Sequence, residues 1–370
     1  VLALYGMDDR ETQAMRNLVG DTARLTVAAA LPMAPARLPW ADVIVARAGL
    51  AARTASPRPV IIPDDIMART VPSLRRAVEI AGVPQAMPLF LDHFELAWNR
   101  DRFSSLGFQT MDSLDDMERA LASWTAYRHV TRNALEKSTY AFVFAGGDDE
   151  SLLLLLSALC VSERGLSAYN AVTRSLVAGT PLDALEDMVI GTSIDGRPLT
   201  FGAILARLAS WNGKGYMHPE WYALQDKDIK SMMEGNVAFM SAQLLSFHRG
   251  VDYNAITRFS TGRFPVMPAV MDRAIVAPLT IAIVTASRGR TRKALDLIRA
   301  MTDAATAREA ASTSGRSTTI AAATAPDIQA AAALSFAAAS STVVSGWYRD
   351  AFADEEKAHQ FAAEVRARLR

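Results

Sequence analysis

The feature that most constrains this chain is the alternation that opens it: short apolar runs, mostly β-branched, separated by stretches of helical periodicity. Val1–Tyr5, Arg24–Ala29, Asp42–Ala46 and Val60–Ile62 each predict a strand. Between the first two, Asp8–Leu18 predicts a helix, with Asp8 or Asp9 as its cap and Gly20 as its stop. Strands separated by helices build βαβ units, so the sheet is expected to be mostly parallel with helices on its faces. The segment Ala51–Asp65 contains Pro57, Pro59 and Pro63 and reads as surface loop. At 370 residues the chain exceeds one typical domain, so two lobes are expected.

Further along, capping chemistry marks the helices. Ser113 can cap while Asp116 reaches back, and Leu114, Met117, Leu121 and Trp124 then share one face. Asp226–Glu234 predicts a second helix with Gly235 as a left-handed stop, followed by a buried strand Asn236–Met240. Ile275–Thr285 reads as one long strand and Thr291–Met301 as a helix. The Ala/Ser/Thr-rich stretch after Ala304 predicts helices over Ala304–Ala311 and Asp327–Ala339, because alanine is the best helix former. The break Ser312–Ser317 between them is a candidate crossing from one lobe to the other.

Composition excludes several function classes. Lys plus Arg and Asp plus Glu both number 39, so no basic footprint for nucleic acid exists. The single cysteine, Cys160, rules out an internal disulfide framework and a cysteine-rich zinc site. Within the apolar run Leu152–Cys160 it reads as a small buried hydrophobe or, alternatively, a reactive thiol. No run approaches the roughly 18 consecutive apolar residues of a membrane span. The chain starts on a strand-like segment without a leader, which fits a cytosolic protein or one whose signal segment lies outside it. Nucleophile-elbow, P-loop and His-Glu-x-x-His patterns are missing, and Gly213-Lys-Gly215 lacks the third glycine of a dinucleotide fingerprint. His218 has no second ligand at helical spacing, and Asp148-Asp149-Glu150 reads as a loop or helix N-terminus. The residues therefore point to a two-lobed α/β protein with no catalytic residue, metal or cofactor assigned.

Three blocks add a resemblance. Trp98-Asn-Arg-Asp-Arg-Phe103 with Gly107, preceded by Val83-Pro84 and followed by the Ser113–Met117 helix start, forms the first. Gly215-Tyr-Met-His-Pro-Glu220 with Gly235-Asn-Val-Ala-Phe-Met240 forms the second. Arg263-Phe-Pro265, the Ile275–Thr285 strand and Arg292–Ile298 form the third. In this order they resemble the family-1 extracellular solute-binding proteins of ABC importers, the maltose-binding-protein-like carbohydrate group. The usual Pro-x-Thr-Trp before the Ser113 helix is absent.

The resemblance implies a type II periplasmic-binding-protein fold: two α/β lobes joined by a hinge, with an interlobe ligand cleft closed by hinge motion. Crossings are expected near Leu91–Trp98, Phe264–Met271 and Ser314–Thr318. Lobe one would be 1–93 plus 270–315, and lobe two 94–269 plus 316–370. It further implies a monomer outside the cytoplasmic membrane, possibly lipid-tethered, that hands a small polar solute to a membrane permease. Carbohydrate is the default ligand class; polyols, modified sugars, short peptides and amines stay open. An adhesin or chemoreceptor partner on the same fold, or an enzyme, are the alternative classes.

Carried over position by position, the resemblance implies these ligand contacts: Tyr5 and Gly6 at the end of the first strand, Arg47 past the third, and Asp92 on the hinge side. Gly147 and Asp148 would line the second lobe's loop, and Pro278 with neighbouring Leu279 the long strand. Where sugar binders carry glycine and an aromatic platform, this chain offers Gln243 and Leu245. Trp347 either supplies the missing platform or docks the final helix.

Overall fold

The structure is a computed structural model that describes the chain except residues 29–40, 56–58, 81, 193–195 and 269. Ala29 and Pro57, which fall in an expected strand and loop, lie outside the described residues. Ten strands build the two main sheets: β1 (Leu2–Tyr5), β2 (Leu25–Ala28), β3 (Val43–Arg47), β4 (Met87–Leu91), β5 (Phe94–Asn99), β6 (Tyr140–Phe144), β7 (Ala238–Leu244), β8 (Phe259–Gly262), β9 (Leu279–Val284) and β10 (Ser317–Thr318). The chain divides into two compact units. Unit 1 holds Val1–His93, Ile275–Ser345 and Arg349–Asp354; unit 2 holds Phe94–Ala274, Gly346–Tyr348 and Glu355–Arg370.

Unit 1 is built on a sheet ordered β10-β4-β9-β3-β1-β2. Strand β1 runs parallel to β2 and β3, with Leu4 level with Val27 and Val45, while β9 runs antiparallel between β3 and β4. Every residue of β1 and β9 is buried. That is why these strands read as continuous apolar runs: helices cover both faces, so both sides of each strand enter a core. The helix Asp9–Val19 starts as the sequence predicts. Asp8 accepts from the Glu11 amide at 2.8 Å, and Glu11 accepts from the Asp8 amide at 3.2 Å. Gly20 takes the C-cap position.

Unit 2 is built on the sheet β8-β5-β7-β6, in which β7 is antiparallel to β5 and parallel to β6. The helix Leu114–Val130 has the expected Ser113–Asp116 capping box. Its Trp124 stacks on Phe239 with ring centroids 4.9 Å apart. The Leu152–Cys160 run lies in the helix Asp149–Val177, wholly inside the core, and Cys160 is fully buried. This is one helix long and apolar enough to cross a bilayer by composition, yet 78% of its most apolar window is buried. It bends at Gly165, whose φ of +73° suits glycine; a Cβ there would also lie 3.1 Å from Val270.

Five expectations are corrected. Ala51–Asp65, expected as loop, takes in most of the helix Leu50–Ala55 and the start of the helix Asp64–Met67. The strand Ile275–Thr285 is interrupted at Ala277-Pro278, since proline has no N–H for a ladder; Ile275–Val276 instead pairs with Val343–Val344. Val60–Ile62 is not a strand and makes only isolated bonds, to Val284 and Pro84. Gly235 is right-handed at φ −72°, and Asn236 takes the left-handed turn at φ +57°. The last correction concerns lobe membership: 270–274, expected in lobe one, lies in unit 2, and 349–354, expected in lobe two, lies in unit 1, as does 316–345. That last stretch packs in unit 1 because Ser317–Thr318 pairs with β4 and the Ser317 hydroxyl donates to Ala330 O at 2.7 Å. The Ser312–Ser317 break is therefore no crossing. The chain passes from unit to unit at His93/Phe94, Ala274/Ile275 and Ser345/Gly346, and again on either side of Arg349–Asp354.

Candidate functional site

In open α/β sheets, ligands gather beyond the carboxyl ends of the parallel strands. At that edge of unit 1, β1 delivers Tyr5 and Gly6, β3 delivers Arg47 and β4 leads into Asp92, while β9 starts there with Pro278 just before it. Arg47 does not stand alone. Its guanidinium grips the fully buried Glu11 with both nitrogens, at 2.5 and 2.7 Å, and donates to Thr280 Oγ1 at 2.8 Å. Arg316 completes the cluster, 3.0 Å from Asp8, 3.3 Å from Glu11 and 3.0 Å from Asp92. Asp92 is 1% exposed and its amide donates to Pro278 O at 2.9 Å.

Five ionised groups at one sheet edge are tolerable only because they compensate one another; a buried charge left alone costs on the order of several kcal/mol. The electrostatics follow. Burial alone would lower the Arg316 pKa, but Asp92, Glu11 and Asp8 outweigh it and raise it above the ordinary arginine value. Burial likewise pushes the Asp8 carboxyl up, and Arg316 with the Glu11 amide overcomes this and holds it below the usual range.

Beside this paired cluster sit neutral groups, and two of them, the Tyr5 hydroxyl and His93 Nδ1, have no hydrogen-bond partner among the described residues. Tyr5 is 2% exposed, its hydroxyl has no hydrogen-bond partner among the described residues, and burial raises its pKa. Gly6 turns the chain at φ +62° and donates to Ala28 O. His93 packs on Phe336 at 5.4 Å, and burial depresses its pKa to about 3. Unit 1 also has a cavity of about 80 Å³ beside Gly49, Ala52, Ile281 and Ile283. Its walls are mostly apolar, and it is smaller than the roughly 300–1,000 Å³ of small-molecule sites.

At the matching edge of unit 2, β6 runs into Gly146, Gly147 and Asp148. Both glycines allow close backbone approach. A Cβ on Gly146 would lie 2.5 Å from the Trp221 ring, and one on Gly147 2.6 Å from Gln225 Nε2. Asp148 caps the helix Asp149–Val177, accepting from the Ser151 amide at 2.7 Å. Arg366 of the C-terminal helix braces this loop, donating to Gly146 O at 2.7 Å and Asp149 Oδ1 at 2.6 Å. Strand β7 ends at the same edge, with Gln243 as its penultimate residue. The Gln243 side chain is 4% exposed, and neither its oxygen nor its nitrogen has a partner among the described residues.

Two expected contacts have other work. Leu245 is fully buried. Trp347 is fully buried too, stacked on Tyr169 at 5.6 Å with Phe201 against its edge at 5.5 Å, and its amide donates to Ser157 Oγ. With the ring enclosed, Trp347 packs the unit and presents no open stacking face. Sequence reasoning passed over Glu11, Thr280 and Arg316, and also Glu95 and His248, which bond to each other inside unit 2. Only Glu11 carried a local signal, as the capping-box partner of Asp8. Among the described residues no group of three or more His, Cys, Asp or Glu could hold a metal ion. Burial, reinforced by Glu163, pushes the Cys160 thiol well up, away from thiolate chemistry.

No family model matches the chain, and no curated protein matches it. Solved structures do. The bacterial solute receptor AcbH, described as preferring β-D-galactopyranose, aligns over 100% of this chain and 96% of its own with TM-score 0.74 and 14% identity. A probable secreted solute-binding lipoprotein from Streptomyces coelicolor aligns over 100% and 97% with TM-score 0.68 and 13% identity. A sugar transporter protein from Bacillus licheniformis, in complex with stachyose, aligns over 100% and 98% with TM-score 0.66 and 13% identity. The chain has the two-lobed α/β fold of the solute-binding proteins of ABC importers; the first neighbour is described as a solute receptor, the second as a solute-binding lipoprotein and the third as a sugar transporter in complex with stachyose.

Proposed function

We propose that this chain is the solute-binding component of an ABC importer, working outside the cytoplasmic membrane, and that its solute is a small neutral polyhydroxylated molecule, a sugar or polyol. One observation carries the ligand class. Among the described residues, neutral side chains at the strand-end edges carry buried polar atoms without a hydrogen-bond partner, including the Tyr5 hydroxyl and His93 Nδ1 in unit 1 and the Gln243 amide in unit 2. The ionised groups at the unit 1 edge, Arg47, Arg316, Asp8, Glu11 and Asp92, are engaged with one another. Hydroxyls both donate and accept, as do a phenol and a carboxamide, so solute hydroxyls suit groups of either kind without an unpaired charge. The sugars bound by the neighbours of the same fold support the reading.

Binding here is capture, not chemistry; Gly6, Arg47 and Pro278 frame the strand-end edge of unit 1, and Gly147 and Asp148 frame that of unit 2. A ligand-driven hinge motion followed by delivery to a permease belongs to the reading. The test is calorimetric titration with galactose, stachyose, sorbitol, glycine and a dipeptide. Binding of a sugar or polyol with no response to the zwitterions is the expected result. At about 100 times its dissociation constant that ligand should add roughly 2.7 kcal/mol of stability. Selective binding of glycine or the dipeptide would overturn the ligand class.

A further inference from the structure

Three buried polar side chains of unit 2 converge at the end of β7, and two of them were not among the expected contacts. Glu95 on β5 stands directly opposite Gln243 on β7 in the antiparallel ladder, so their side chains share one face of the sheet about 4.5–5.5 Å apart at Cβ. The Glu95 carboxylate bonds His248 Nδ1, and His248 belongs to the one-turn helix Leu245–His248 that follows β7 directly. Glu95 is 2% exposed and His248 fully buried. His248 Nε2 has no partner among the described residues, and neither does either polar atom of Gln243.

We infer that Glu95, His248 and Gln243 form a diol-recognition subsite: Glu95 orients the imidazole, and His248 Nε2 and the Gln243 amide take two adjacent hydroxyls of the solute. The inference rests on the solute-binding reading above and adds to it the residues that set specificity. Its chemistry is direct. A carboxylate accepts, so with Glu95 accepting from Nδ1–H the tautomer that this pair selects leaves a lone pair on Nε2. One solute hydroxyl donates to that lone pair. Its neighbour accepts from the Gln243 NH2 or donates to the Gln243 oxygen. Such an arrangement disfavours a carboxylate solute, which would meet the Nε2 lone pair with the Glu95 charge behind it. Buried polar groups in native proteins are almost always paired, so three partnerless atoms around one carboxylate–imidazole pair mark a place meant for polar atoms from outside the chain. Glu95 acts through His248 and is a positioning residue; His248 and Gln243 are the contacts.

The experiment uses the full chain, 15N-labelled at histidine, titrated with galactose, stachyose and sorbitol. Imidazole 15N shifts report His248 Nε2 directly, and calorimetry gives the affinity of wild type, Gln243→Leu and Glu95→Gln. The expected result is a shift of the His248 Nε2 resonance on binding, with affinity weakened about 10- to 100-fold in Gln243→Leu, equivalent to about 1.4–2.8 kcal/mol. In Glu95→Gln the same solute should bind more weakly while the free His248 spectrum shows a changed tautomer. If a sugar or polyol binds wild type but leaves His248 unmoved, and Gln243→Leu binds equally well, the subsite is refuted and the functional reading survives. If none of the three binds wild type, the functional reading fails and takes the subsite with it.

Discussion

Replacing Gln243 by leucine should stabilise unit 2 in the absence of solute while weakening solute binding. The wild-type amide is 4% exposed with its oxygen and nitrogen both partnerless among the described residues. Each buried polar group left unpaired costs about 1–3 kcal/mol. Leucine removes that cost at similar volume, but its different branching can return up to about 1.5 kcal/mol as strain. With two such groups, at about 2–6 kcal/mol together, the expected balance is a net gain of at least about 0.5 kcal/mol, and for a unit of roughly 150–250 residues the midpoint rises by about 2–4 °C per kcal/mol. Differential scanning calorimetry on dialysed, solute-free protein reads this, and the same scans with saturating galactose or stachyose show whether the variant has lost the ligand's stabilisation. A binding site maintained at the expense of stability should give both changes together. A drop in the solute-free midpoint would refute the reasoning, because it would mean that the amide holds the native structure together.

The other predictions concern the frame around that site. Arg316→Met leaves Asp8, Glu11 and Asp92 without their shared cation, and urea unfolding should show a loss of about 3–5 kcal/mol, largely recovered by adding Asp92→Asn. His93, whose pKa burial depresses to about 3, stays neutral in the folded state while the unfolded chain takes up a proton below about pH 6.5. The unfolded state then binds more protons, so stability is lost on acidification through that window, by up to about 1.4 kcal/mol per pH unit. His93→Leu should flatten this part of the stability–pH curve, and an unchanged slope would contradict it. Gly147→Ala places a Cβ 2.6 Å from Gln225 Nε2 and 2.8 Å from the Ala223 carbonyl carbon. Thermal unfolding should show a cost of about 1–3 kcal/mol from the displaced turn.

Much of the local structure was legible because its determinants lie within one helical turn. The Asp8–Glu11 and Ser113–Asp116 boxes fix two helix starts, and the helices Asp226–Glu234 and Thr291–Met301 follow their apolar spacing to the residue. Asn236 escaped because a glycine next to it offered the usual left-handed stop. The structure uses Asn236 instead, its side-chain oxygen accepting from Asn99 Nδ2 and its backbone oxygen from Arg102 Nη2. The interruption at Pro278 escaped for a related reason: apolar content alone cannot say where a ladder stops.

By itself the sequence determined the α/β class, the helix caps and, through three ordered blocks, the likeness that the shared fold bears out. It also named Tyr5, Arg47, Asp92 and Gln243 as residues of interest at strand ends. What those side chains do was decided by tertiary structure alone. Asp8 and Arg316 are 308 residues apart in the chain and pair across a sheet edge; Glu95 and His248 are 153 apart and meet in a core. The same holds for the placing of 316–345 in unit 1, which depends on two residues pairing with β4. Capping and periodicity are short-range and survive in a one-dimensional reading. Charge compensation and polar satisfaction depend on which distant groups share a buried volume, and that exists only once the sheets have formed.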